Sequence, residues 1–338
     1  MSRRYAVLGA GAALLLAGLS TAFTDPAPAA AIALGRQLFF DPILSGDRSI
    51  SCASCHREQF AFADTAVLST GVAGRHARRN TPSAMNLRSQ TAFFWDGRAA
   101  TLEEQALVPI ASPQEMNLPI ATAVARLNQS PAYQAAFQRV FGEMPTARTL
   151  ALALAEFERS LETSSPLDDW RLNDNEAAVS ASAKRGFALF NDKAGCVRCH
   201  FGADFNNNSE FRNIGLYDGQ TLTDSGRAAI TGRASDLGKF KIGALRNVAL
   251  TAPYMHNGQF RTLRQVIDYY NDPDKVVPRA RNRDPFLARP LGLTTPEKVD
   301  LESFLRALTD KRFLKQKNPV ASRTSPRQRP GSGGKRRL

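Results

Sequence analysis

Along most of the chain, apolar positions recur with the period of an α-helix and seldom alternate as they would in a half-buried strand. Leu150, Leu154, Phe157 and Leu161 fall on one helical face, and Leu301, Phe304, Leu305 and Leu308 repeat the arrangement behind the start signal Thr295-Pro296-Glu297. Ser130-Pro131 opens another helix, because a first-turn residue has no use for the N–H that proline lacks. Thr101 and Glu104 have capping-box spacing ahead of the segment leading to Val108. Thr262 and Gln265 have it ahead of Leu263, Val266, Ile267 and Tyr270, which share a face and leave Tyr269 pointing elsewhere. No segment alternates convincingly, so the pattern predicts an all-α chain.

The two ends break this periodicity. Arg3 and Arg4 precede an unbroken apolar run from Ala6 to Leu19, and Ser20-Thr21-Ala22 offers a small-x-small cleavage site. Residues 1–22 therefore read as a secretory signal peptide, predicting a periplasmic protein with no membrane span after cleavage. The alternative is an uncleaved anchor, although the run is short for a bilayer. At the other end, ten basic and no acidic residues lie between Lys311 and Leu338, against a formal net charge of +13 for the whole chain. With its prolines and Gly331-Ser332-Gly333-Gly334, the stretch 318–338 reads as a disordered basic tail. The folded part is then nearly balanced in charge. That argues against nucleic acid as a partner and for a solvated tail or weak docking to an acidic protein.

The chemistry is concentrated in the cysteines. All four fall in two copies of one pentad, Cys52-Ala53-Ser54-Cys55-His56 and Cys196-Val197-Arg198-Cys199-His200. A C-x-x-C-H run suits thioether attachment of a haem to both thiols, with the histidine as axial ligand to the iron. Two covalent haem c groups are implied. Zinc or disulfide chemistry is the weaker reading, because both pairs carry the trailing histidine and stand far apart. A thioredoxin-like motif would need a βαβ neighbourhood that is absent. Gly35-x-x-Leu38-Phe39 before the first pentad is echoed by Gly186-x-x-Leu189-Phe190 before the second. The repeat predicts two small cytochrome c-like domains, 23–165 and 166–317, with the crossing between Thr163 and Ala178.

Further motifs fall in a fixed order around the pentads. Arg79-Asn80-Thr81-Pro82-Ser83, Phe94-Trp95-Asp96-Gly97-Arg98, Thr101-Leu102-Glu103-Glu104-Gln105-Ala106 and Pro113-Gln114-Glu115-Met116 lie between them. Leu245-Arg246-Asn247-Val248 and Thr251-Ala252-Pro253-Tyr254-Met255-His256-Asn257-Gly258 follow the second. From about Gly35 to Leu308 the chain resembles the bacterial di-haem cytochrome c peroxidase and MauG family. The resemblance implies that the first haem, on Cys52, Cys55 and His56, is the high-spin site for hydrogen peroxide. It makes the second, on Cys196, Cys199 and His200, the low-spin electron-transfer haem. Trp95 falls at the inter-haem tryptophan, and Gln105 and Glu115 fall at distal-pocket positions beside Pro109. Asn80, Thr251 and Pro253 match residues that hold calcium between the domains. Glu115 is the candidate acid/base, since heterolysis of a peroxide needs a proton carried from one oxygen to the other.

Members of this family place a methionine or, in the MauG-like branch, a tyrosine as sixth ligand of the second haem. Seventeen residues beyond Pro253 that position is Tyr270, and no methionine follows Met255. A phenolate lowers the potential of its iron where a thioether raises it. His76 lies in the loop where typical peroxidases carry a reversible sixth ligand to the first haem, and is a candidate for that role or for a solvated loop residue. Ala194 stands where MauG has a surface tryptophan, a departure that argues against MauG's own cofactor-maturing role. His256 is expected near a haem propionate, Trp170 in packing, and Met85, Met116 and Met144 in core or pocket wall. The reading is an oxidoreductase that activates peroxide at the first haem, shares oxidising equivalents with the second, and oxidises a protein substrate or a periplasmic electron donor. The alternatives are an ordinary cytochrome c peroxidase, fed by a small cytochrome c or cupredoxin, and a non-enzymatic dihaem electron carrier.

Overall fold

A computed structural model describes residues 28–207 and 210–314. The signal-like segment and the basic tail expected at 1–22 and 318–338 lie outside the described residues.

In the first half, α1 (Pro28–Phe40) leads to the short α2 (Cys52–Cys55), then α3 (Leu102–Ala111), α4 (Ile120–Asn128), α5 (Pro131–Phe141) and α6 (Ala147–Arg159). Local signals set the boundaries. Thr101 Oγ1 accepts from Glu104 N at the head of α3, and Ser130-Pro131 starts α5. The Glu104 carboxylate reaches Ala100 N, one residue before the capping-box partner expected for it. Helices α1 and α6 cross at Gly35, where a Cβ would meet the Ala153 carbonyl oxygen at 1.8 Å. Leu38, Phe39, Leu150, Leu154 and Phe157 fill the seam. Each such buried side chain contributes roughly 1.5–3 kcal/mol of transfer free energy.

The second half repeats the plan. After α7 (Pro166–Leu172) come α8 (Ala181–Asn191), the two-residue β1 (Phe211–Arg212), α9 (Ala228–Thr231), β2 (Phe240–Lys241), α10 (Leu263–Asn271), α11 (Thr295–Ala307) and α12 (Lys311–Leu314). Here α8 crosses α11 at Gly186, whose added Cβ would lie 1.9 Å from the Asp300 carbonyl oxygen. Phe190 and Phe304 pack in the seam with ring centroids 5.0 Å apart. The Gly-x-x-Leu-Phe echo thus marks the same backbone-to-backbone crossing in both halves. β1 and β2 form one antiparallel ladder, pairing Phe211 with Lys241 and Arg212 with Phe240.

The structure amends four sequence expectations. The cap of α11 is Thr294, bonded reciprocally to Glu297, one residue before the start signal read from Thr295. Met144 is exposed, whereas Met85 and Met116 are buried. Tyr269 is fully buried, its hydroxyl donating to Ile214 O at 2.5 Å, so both tyrosines of α10 face inward rather than Tyr270 alone. Lys311 and Arg312, first of the ten basic residues, belong to the fold: Lys311 pairs with Asp169 at 2.8 Å and Arg312 with Asp310 at 3.1 Å. Phe313 accordingly returns the chain to the core of the first half.

Candidate functional site

Both pentads open into one cavity of about 1070 Å³, walled by both halves. A pocket for one drug-sized ligand spans about 300–1,000 Å³, so this one exceeds that scale. His56 sits at the end of α2, and its Nδ1 meets Phe62 O at 2.9 Å. His200 Nδ1 meets Phe205 O at 3.0 Å. With Nδ1–H donating to a carbonyl, the second ring nitrogen of each keeps its lone pair for a metal. Burial lowers both imidazole pKa values, which keeps the rings neutral. The four cysteines are free of disulfides, and burial pushes their thiols up, Cys196 to about 12. A pair of thiols beside one imidazole on the wall of so large a cavity fits thioether attachment of a haem in each half, and among the described residues no three His, Cys, Asp or Glu side chains converge as a zinc site would need.

Gln105 and Pro109 on α3, and Glu115 just beyond it, line the part of the cavity around the first pentad. The Glu115 backbone is pinned by Val72 N donating to its carbonyl at 2.8 Å. Gly71 is needed beneath it, since a Cβ there would lie 2.2 Å from Gln114 O. Burial raises the Glu115 carboxyl, and Ser112 and Arg98 oppose the shift.

Trp95 occupies the junction of the halves. Its indole Nε1 donates to Asn80 O at 2.7 Å, and its own carbonyl accepts from Lys241 N at 2.7 Å. The indole lies edge-on to His256 at 6.4 Å, and His256 is stacked on Phe240 at 3.7 Å. Burial holds the His256 imidazole neutral, its pKa lowered to about 4. Beside them Arg79 joins Asp96 at 2.6 Å to Asp224 at 2.7 Å, bridging the two halves.

On α10, Leu263 and Ile267 enter the core while Val266 and Tyr270 face the cavity. Burial drives the Tyr270 phenol far up, and proximity to Tyr269, Cys199 and Cys196 adds to the rise. Such a phenol ionises only with a cation beside it. Asn80, Thr251 and Pro253 also line the cavity. The Asn80 amide nitrogen donates to Ala66 O and Val67 O, both at 3.2 Å, which leaves its Oδ1 turned to accept. Among the described residues no three His, Cys, Asp or Glu side chains converge as a metal cluster, so a cation at Asn80 would rest on amide and carbonyl oxygens. His76 stands apart: it is exposed, outside the cavity wall, with Nδ1 3.5 Å from Thr70 Oγ1. Ala194 is buried at the cavity margin.

Two cavity groups escaped the sequence reading. Glu158 on α6 is buried, its carboxyl raised by desolvation to about 8. Its signal was an acid one turn after Leu154 on an apolar face. Lys241 on β2 had none, because a two-residue strand leaves no periodicity to read.

Two C-x-x-C-H sites on one cavity, with Trp95 in its wall at the junction of the halves, define a di-haem c-type redox protein. Residues 29–177 match the family model described as di-haem cytochrome c peroxidase. The chain is 41% identical over 280 residues to the methylamine utilization protein MauG of Methylorubrum extorquens, covering 82% of this chain and 77% of that protein. It is 36% identical over 239 residues to the cytochrome c551 peroxidase of Nitrosomonas europaea, covering 70% and 71%. The crystal structure of a MauG-like protein associated with microbial copper homeostasis superposes with a TM-score of 0.77 at 32% identity, over 85% of this chain and 91% of that one. The chain belongs to the di-haem cytochrome c peroxidase and MauG family, and is an oxidoreductase of that family.

Proposed function

We propose that the protein is a periplasmic peroxide-activating enzyme of the MauG-like, tyrosine-ligated branch, oxidising a protein substrate or a small redox partner. The observation that carries the reading is Tyr270, turned into the cavity near Cys196 and Cys199 in a chain with no methionine beyond Met255. Cys52 and Cys55 would hold the first haem with His56 as ligand, and Cys196 and Cys199 the second with His200 and Tyr270. Bound haem supplies the two-electron reduction of peroxide and one-electron exchange between the sites. Glu115 takes a proton from the inner peroxide oxygen and delivers it to the outer one. Gln105 orients the peroxide through a neutral amide, and Trp95 provides the packed path between the sites. Asn80 Oδ1 with the Thr251 and Pro253 carbonyls would hold calcium, completed by waters. His76, exposed and off the wall, is left without a ligand role in this reading.

Replacing Tyr270 with Met tests the branch. Redox titration of the loaded protein should show the second haem's potential rising as thioether replaces phenolate, with both covalent attachments intact. A parental low-spin spectrum and potential would reduce Tyr270 to a core residue and leave an ordinary peroxidase. A protein inert to peroxide in every redox state would be an electron carrier. Release of the haem protein by osmotic shock checks the compartment.

A further inference from the structure

Lys241 places a cation deep in the cavity wall. Its backbone N–H is tied to the Trp95 carbonyl at 2.7 Å, and its Nζ donates to Gln90 Oε1 and lies 5.8 Å from the centroid of Phe93. Two residues on, Gly243 offers its backbone to the His200 ring. Lys241 thus sits on a stretch of chain that reaches from the Trp95 carbonyl to the His200 ring.

The other cations on this wall are accounted for. Arg79, Arg98, Arg212, Arg246 and Lys193 each have a carboxylate within ion-pair distance. Arg78 and Arg198 stand exposed to solvent. Among the described residues Lys241 alone is a cavity cation that is neither exposed nor ion-paired. Burial already depresses its ammonium to about 8. An ammonium withdrawn from water is costly unless an anion meets it. Each haem carries two propionate carboxylates, and they are the anions this cavity is built to receive.

We propose that Lys241 is the counter-cation of a haem propionate at the junction of the two halves, and that its charge raises the potential of the haem it touches. A fixed positive charge near a redox centre favours its reduced form, so removing the charge lowers the midpoint. The inference rests on haem attachment and holds whether or not Tyr270 is a ligand, because the comparison is always with the parent protein.

The test is spectroelectrochemical titration of the two-haem protein, parent against Lys241→Met and Lys241→Arg. One midpoint should fall in Lys241→Met and stay at the parental value in Lys241→Arg, and the propionate bending mode of that haem in resonance Raman should shift in Lys241→Met alone. Lys241→Gln, which retains a donor for Gln90, is read in the same way where Lys241→Met does not accumulate with both haems. Unchanged midpoints in the uncharged variants overturn the proposal. An equal fall in Lys241→Arg overturns it too, since packing and not charge would then be the cause.

Discussion

Glu115 and Glu158 show how one cavity gives two carboxylic acids different standing. Glu115 keeps the counterweights of Ser112 and Arg98 against burial, whereas Glu158 is driven to about 8 with Arg159 as its opposing charge. Glu115 is therefore held less strongly in its protonated form than Glu158, as suits a group that must first take up a proton. In the proposed mechanism its base form accepts the first proton. The rate of peroxide activation should accordingly climb as pH rises through its raised pKa, a limb lying above the usual carboxylate range. Glu115→Gln should flatten that limb and slow activation by roughly 10²–10⁴ while leaving the resting haem spectra in place. Stopped-flow mixing across pH reads both effects, and unchanged kinetics would remove Glu115 from the mechanism.

At the scale of elements, the two glycine crossings decide where the cavity walls stand. At Gly35 and Gly186 a methyl group would collide with a carbonyl oxygen of the facing helix rather than with a side chain able to swing away. Gly35→Ala and Gly186→Ala should each destabilise by about 1–3 kcal/mol or more, the scale of overpacking, measured as a lowered denaturation midpoint of the holoprotein. A midpoint within error of the parent would mean that the helices part without cost. These crossings were legible in sequence as a repeat, though not as a contact, because the facing residues Ala153 and Asp300 lie far along the chain. Helices, caps and pentads were legible for a related reason: their signals lie within a few residues. The partners of Trp95, Arg79 and Lys241 were not, since each depends on which distant loop packs across the junction. The α10 face was misjudged at Tyr269 because a helix wedged between core and cavity is apolar on two sides, and one stripe cannot describe it.

At the scale of the whole molecule, the two halves are joined by polar contacts that converge on the cavity. Arg79 spans them with Asp96 and Asp224, Asn80 N donates to His256 O at 2.7 Å, and Asn247 Nδ2 reaches Thr163 Oγ1 at 2.8 Å. Calcium at Asn80, Thr251 and Pro253 would add a bond of the same kind, from the same loops. Exhaustive chelation of the loaded protein should then weaken the coupling between haems, seen as a change in their separate midpoints, and added calcium should restore it. Identical midpoints before and after chelation would count against the site.

That shared wall makes the first pocket depend on residues far along the chain. Cys52, Cys55 and His56 line the same cavity as Phe240, Pro253 and His256, which belong to the other half. A fragment ending before Phe240 would keep the first pentad and lose one side of the pocket around it, so neither half encloses its own site.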